Sequence, residues 1–272
     1  MITLQKPRIA IYADLDSKAA PSPIDTEMHR VFSPAHFDYV HVDRHALMQP
    51  SFYKDLAMLI IPGISGEVSF YHDHIGPANA MIRSYVAQGG ALFTQCAGSC
   101  YASYTTQYTP EWATPRKRES GLLKIFRGVA HGPVPGLGVD GGDSRFHRGL
   151  TSIRLNSELA PSGSIAVAYS SGPAFFAAAN MARPVEVIAR YADTADKTPA
   201  IISFGFGDGM VLMSGPVPHQ GYTQVADLPQ YRALRTLMDK LEPYEEQRRV
   251  FFDALMTRIL THTQKTGLSG PV

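Results

Sequence analysis

Cys96 stands where a thiol can do chemistry. It follows the run Ala91-Leu92-Phe93-Thr94-Gln95 directly and precedes Ala97 and Gly98, residues small enough to leave an approach open. A strand that breaks at once into a small-residue turn and a helix builds a nucleophile elbow, a strained bend that exposes its side chain at the carboxyl end of a sheet. Amides at the start of such a helix, together with its dipole, favour thiolate. The competing reading is a buried cysteine at a strand end, because free cysteine is among the most buried residue types. Spacing alone leaves both readings standing. Cys100, four residues on, fits neither a zinc pattern nor a redox pair with two intervening residues, and is expected to pack in the first helical turn. Tyr71-His72-Asp73-His74 contains His-x-His, but no third ligand can be placed, so no metal site is assigned. Gly136-Leu137-Gly138 is a short Gly-x-Gly, read as a loop turn rather than a phosphate cradle.

The elements that must position Cys96 come from the pattern around it. Short β-branched runs alternate with helical spacing in the N-terminal third, which is how a parallel sheet with crossover helices reads. Strands are expected over 8–13, 37–42, 57–61 and 91–95, with a helix between the last two carried by Ala78, Met81, Ile82, Tyr85 and Val86 and stopped by Gly89-Gly90. Residues 109–143 are rich in Pro and Gly and read as an irregular insertion with little periodicity outside 122–126. Five closely spaced strand candidates follow over 152–155, 165–169, 185–191, 200–204 and 210–213, separated by turn signals, and suggest antiparallel additions. A helix is expected over about 244–262, with Val250, Phe251, Ala254, Leu255 and Ile259 on one face, and 266–272 as a frayed end. The expected fold is α/β and flavodoxin-like: a mostly parallel central sheet flanked by helices, antiparallel in its C-terminal half, and one domain over residues 1–272.

Composition narrows the class. The chain has 44% hydrophobic and 18% charged residues, a globular balance. A formal net charge of +1 argues against broad electrostatic binding to nucleic acid and leaves only a local patch open. Arg116-Lys117-Arg118 is the compact basic run, read as a solvated loop rather than a phosphate site. Two cysteines make no disulfide framework, no leader of signal-peptide form opens the chain, and no run of about 18 apolar residues offers a membrane span. The expectation is a cytoplasmic protein without cofactor, with a small-molecule ligand or a protein partner and no nucleic acid or membrane.

Several stretches then carry a resemblance. Gln95-Cys96-Ala97-Gly98 followed by Tyr101-Ala102-Ser103 is similar to the Cys-Ala-Gly motif of the biotin-protein ligase N-terminal domain family, a branch of the class I glutamine amidotransferase-like fold. Leu59-Ile60-Ile61-Pro62-Gly63 resembles that family's strand and Pro-Gly loop, and Asn79 with Ile82-Arg83-Ser84-Tyr85-Val86 its crossover helix. Residues 123–133 resemble its Phe-x-Gly-x-x-x-Gly-Pro segment, and 172–176 with 185–191 its later strands. The likeness runs over roughly 8–220 and leaves the final helix outside. It does not imply a biotin ligase, because the glycine- and arginine-rich loop of the ligase's catalytic domain has no counterpart here. Glutamine-dependent amidotransfer by this chain alone is not expected either.

The resemblance implies an acyl or amide hydrolase that works through a thioester on Cys96, and also shows where the machinery departs. The family pattern Ser-Gly-x-His-Pro-Glu aligns with Ser214-Gly215-Pro216-Val217-Pro218-His219, so valine stands at the histidine and His219 at the glutamate. Valine cannot take a proton. His219 becomes the candidate base, although two extended residues shift a side chain by about 6 to 7 Å and a base must come within about 2.6 to 3.2 Å. Backbone amides of Ala97, Gly63 and Ile64 are the implied oxyanion donors, with Glu67 a candidate ligand contact. Ile64 replaces a usual glycine, and a β-branched residue resists positive φ. The alternative is a catalytically inactive domain that binds a small molecule or a protein.

Overall fold

The computed structural model describes residues 6–13, 24–64, 69–109, 114–137, 151–223 and 235–265. Thirteen strands fall among them: β1 (Arg8–Tyr12), β2 (Asp38–Val42), β3 (Leu56–Ile61), β4 (Ala91–Gln95), β5 (Ser103–Tyr108), β6 (Arg116–Arg118), β7 (Phe126–Gly132), β8 (Thr151–Asn156), β9 (Ser164–Tyr169), β10 (Ala174–Ala177), β11 (Glu186–Tyr191), β12 (Pro199–Phe206) and β13 (Gly209–Ser214). Helices are α1 (Ile24–Val31), α2 (Arg44–Leu47), α3 (Ser69–Ile75), α4 (Asn79–Ala87), α5 (Ala97–Ala102), α6 (Arg235–Leu241) and α7 (Glu245–Lys265). The expected frayed end at 266–272 lies outside the described residues.

Nine strands make one sheet in the order β2-β1-β3-β4-β13-β12-β11-β8-β9. Pairing is parallel from β2 to β13 and antiparallel from β13 to β9. The parallel part has the flavodoxin-like order 2-1-3-4-5, with β13 as its fifth strand. β3 and β4 are buried at every residue, as continuous apolar runs must be when both faces of a parallel sheet are covered. One core cluster, with Ile9, Ile11, Met58, Ile60 and Phe93, packs against α7 through Phe251, Phe252, Leu255, Met256 and Ile259. The other, with Ala10, Leu59, Ile61, Leu92 and Val211, packs against α4 and α5 through Ile82, Val86 and Tyr101. Val250 is 44% exposed and lies off the buried face of α7, where Phe252 and Met256 take the place expected for it.

Within residues 109–143 the described part holds two strands, β6 and β7. β5, β6, β7 and β10 form a second, four-stranded sheet in the order β10-β7-β5-β6, and Arg116-Lys117-Arg118 is its edge strand β6 rather than a loop. Strand β7 reads buried at alternate residues, Phe126, Gly128, Ala130 and Gly132, so one face lies on the core through Phe126, Phe175 and Phe204. The many glycines hide that alternation in the sequence. Residues 110–113 and 138–150 lie outside the described part.

Candidate functional site

β4 ends between β3 and β13, with Thr94 level with Ile61 on one side and Gln95 level with Ser214 on the other. The Cys96 amide still pairs with Ser214 O at 2.8 Å, and then the chain breaks at φ 48° and ψ −114°. A side chain rarely adopts positive φ, and this outlier places residue 96 at the apex of a strained bend. Two small residues lock the helix to the strands around it. Ser99 Oγ lies 2.8 Å from Thr94 Oγ1 and donates to Ser214 O at 2.9 Å, all three residues buried. Gly98 is required by space, because a Cβ there would meet Ile61 O at 2.2 Å. Helix α5 therefore sits directly on the exit of β3, where Tyr71 donates its hydroxyl hydrogen to Pro62 O.

That exit brings the Pro-Gly loop to the thiol. A Cβ on Gly63 would come within 3.0 Å of Cys96 Cβ and 3.8 Å of its Sγ, so the glycine backbone forms one wall at the cysteine. Ile64 is not among the residues with positive φ, and its side chain packs against the α4–α5 side of the core. Burial pushes the Cys96 thiol up to about 11, against a smaller downward pull from the Ala97 backbone amide. The residue as a whole remains partly exposed. The dipole of the six-residue helix α5 favours thiolate, and burial outweighs it. The thiol instead donates to Ser170 O at 3.4 Å. Ser171 has φ 58°, and a Cβ on Gly172 would meet Gly215 O at 1.8 Å, so residues 170–172 lie as a strap across the turn after β13. Tyr169 and Tyr191 hydroxyls donate to Gly172 O and Pro173 O, both at 2.8 Å, and hold that strap down.

The turn after β13 carries Val217 and His219 to different places. Val217 bridges to Ala168 and joins a cluster of Ala166, Ala168, Leu237 and Leu241, against which Cys96 also packs. The position where the resemblance puts an imidazole is thus a hydrocarbon side chain of that cluster. His219 is fully buried, with Nδ1 3.0 Å from Gln95 Nε2. Burial, reinforced by the Arg248 charge, pushes this imidazole down to about 3 and keeps it neutral. Cys96 thus reaches Ser170 O, and His219 meets Gln95.

Arg248 of α7 lies beyond the stretch that carries the resemblance. It is 1% exposed and donates Nη1 to Pro218 O and His219 O, both at 3.1 Å. Its other nitrogens reach Glu245 at 2.8 and 3.1 Å, and Glu27, also buried, lies 3.6 Å away. The pair spacing Glu245-x-x-Arg248 was the available signal. Cys100 packs as expected, 6% exposed and pushed up to about 12 by burial. His72 and His74 of α3 turn to different carbonyls, those of Gly121 and Phe70. Glu67 and Gly138 lie outside the described residues.

A sheet of this order, with a cysteine at a positive-φ bend after its fourth strand, defines the class I glutamine amidotransferase-like fold. A glutamine amidotransferase from Thermotoga maritima shares it at a TM-score of 0.58, with 8% identity over 94% of this chain and 99% of that one. A cytoplasmic protein from Salmonella typhimurium aligns at a TM-score of 0.49, with 12% identity over 92% of this chain and 98% of the other. The chain belongs to the family described as biotin-protein ligase, N terminal, whose model matches residues 9–269. That match extends through most of α7, beyond the stretch that carries the motif resemblance. An uncharacterized protein of Chlamydia muridarum is 30% identical over 174 residues, and this chain spans only 62% of that relative's length.

Proposed function

We propose that the Cys96 bend is a binding site for a small ligand bearing a carbonyl or carboxylate oxygen, built on an acyl-transfer frame but without its proton relay. The amides of Ala97, Gly63 and Ile64 are the donors to that oxygen, and Cys96 contributes a neutral thiol. The observation that carries this reading is the pairing of His219 Nδ1 with Gln95. It engages the ring at Nδ1, and burial keeps the imidazole from holding a proton. Val217 supplies no replacement, and a thiol at about 11 is ionised to about one part in ten thousand at pH 7.

A second reading, thioester chemistry at Cys96, is favoured by its backbone strain, since residues held in sparsely populated conformations cluster at active sites. One set of measurements separates the two. Hydrolysis of p-nitrophenyl acetate and of L-glutamine is followed at pH 7 for the wild type and Cys96→Ala, alongside iodoacetamide labelling of Cys96 across pH. The binding reading expects no Cys96-dependent turnover and a labelling rate that climbs tenfold per pH unit up to about 11. Turnover that disappears in Cys96→Ala, or rapid labelling at pH 7, overturns it in favour of catalysis. Protection of Cys96 from labelling by a carboxylate or amide ligand, screened at alkaline pH, identifies the ligand.

A further inference from the structure

The small sheet has an outer face unlike the rest of the chain. Among the described residues, three large hydrophobic side chains are exposed, and two belong to this sheet: Tyr104 of β5 at 40% and Phe176 of β10 at 45%. Phe176 pairs with Val129 of β7, which pairs in turn with Thr105 of β5, so the two rings stand on strands separated by one intervening strand. Neighbouring strands lie about 4.8 Å apart, which sets the two strands roughly 10 Å from each other across a continuous surface. The core side of the same sheet is filled by Phe126, Ala130 and Phe175. The outward rings serve no packing of that core.

Charge is concentrated around the rings. Over the described residues 103–109 and 114–132 there are five cations, Arg116, Lys117, Arg118, Lys124 and Arg127, against one carboxylate, Glu119, in a chain whose total is 25 against 24. Glu119 is already paired with Lys117. Lys124 and Arg127 lie over the Tyr104 ring, with charge centres 5.8 and 5.9 Å from its centroid. The imidazole of His131 stands 6.4 Å from the Phe176 ring. Lys117 is level with Gln107, and Gln107 with His131, so a polar row crosses β6, β5 and β7 beside the row that carries Phe176.

From this arrangement we infer that the outer face of the β10-β7-β5-β6 sheet binds single-stranded nucleic acid. Exposed rings on a sheet stack on unpaired bases, and surrounding cations meet the phosphates. The near-neutral total charge excludes a broad electrostatic surface and leaves this local one. An acidic peptide would use the cations but give the rings no partner. A lipid surface calls for protruding apolar loops, whereas these rings lie within strands.

The test is fluorescence anisotropy of the intact chain with labelled oligouridylate and oligothymidylate of about 12 nucleotides, at salt from about 50 to 200 mM. Binding in the micromolar range is expected. Tyr104→Ala and Phe176→Ala should each weaken it about five- to hundredfold, and Arg127→Gln should reduce the salt slope by about 0.7. Unchanged far-ultraviolet circular dichroism and thermal midpoint confirm that these surface variants fold. The inference is overturned by any of three results: no anisotropy change up to about 100 μM protein at low salt, binding that survives both ring variants within twofold, or displacement of the oligonucleotide by polyglutamate at equal charge concentration. The last outcome would assign the face to an acidic peptide.

Discussion

Replacing Cys96 by glycine and, separately, by alanine isolates the backbone cost of the bend from the contacts of the sulfur. Cys96 holds φ 48° and ψ −114°, a conformation that costs a residue with a Cβ about 1–3 kcal/mol. Alanine keeps the Cβ and with it the strain; glycine removes both. Glycine in turn loses more freedom on folding, which destabilises it against alanine by about 0.5–1 kcal/mol. Both variants lose the hydrogen bond to Ser170 and the packing on the Val217 cluster, so those losses cancel between them. The net expectation is that Cys96→Gly is more stable than Cys96→Ala by about 1 kcal/mol, opposite to the usual ranking of the two residues. Urea denaturation with equal slopes measures the difference, and the melting temperature should follow by about 2–4 °C. An alanine variant as stable as the glycine variant, or more so, would refute the strain and with it the picture of a tense bend.

Further outcomes concern the buried groups behind the bend. His219 titrates at about 3 in the folded chain against an ordinary 6.5, so the unfolded chain binds the additional proton between those values. Its contribution is complete above about pH 6.5 and declines as pH falls toward 3, by about 1.4 kcal/mol per pH unit; His219→Gln should flatten urea midpoints recorded between pH 7 and 4, and an unchanged slope counts against the assignment. Arg248→Met leaves Glu245 to Arg249 and Glu27 to Arg30 but strips the Pro218 and His219 carbonyls of their donor, and should cost about 2 kcal/mol or more, with Glu245→Gln added in the same chain restoring part of it; a loss under about 1 kcal/mol would show that the network does not brace the turn. Gly98→Ala drives a methyl onto Ile61 O, 2.2 Å away, and should destabilise by about 2 kcal/mol or more, read from the same denaturation curves.

The central sheet was readable because its strands are either unbroken apolar runs or clean alternations. β4 matches its expected limits, 91–95, and β1, β2, β3, β11, β12 and β13 agree within a residue or two at most ends. The second sheet was not readable, since Gly128, Gly132 and the Pro-Gly turns around β7 mask a period of two, and β6 is three charged residues whose only strand signal is its partner β5. At the site, the strand-bend-helix order around Cys96 announced itself in Gln95-Cys96-Ala97-Gly98. The surroundings of the thiol did not, because they include Ser170 and the cluster that holds Val217, residues 74 and 121 positions away. The link from His219 to Gln95 is likewise long in sequence and carries no local pattern.

β13 is hydrogen-bonded to β4 in one direction and to β12 in the other, and this hybrid role divides the molecule's tolerance for change. Threading a new parallel strand needs a crossover of a dozen or more residues, whereas antiparallel strands accept a tight hairpin. Beyond β12, hairpins can lengthen, shorten or slide with no crossover to rebuild, while the trio β3, β4 and β13 keeps its bracket around Cys96. The strap that caps the thiol descends from the permissive half, and the cysteine from the conservative one. Altering what covers the sulfur is therefore far easier, for selection or for a protein engineer, than moving the sulfur itself.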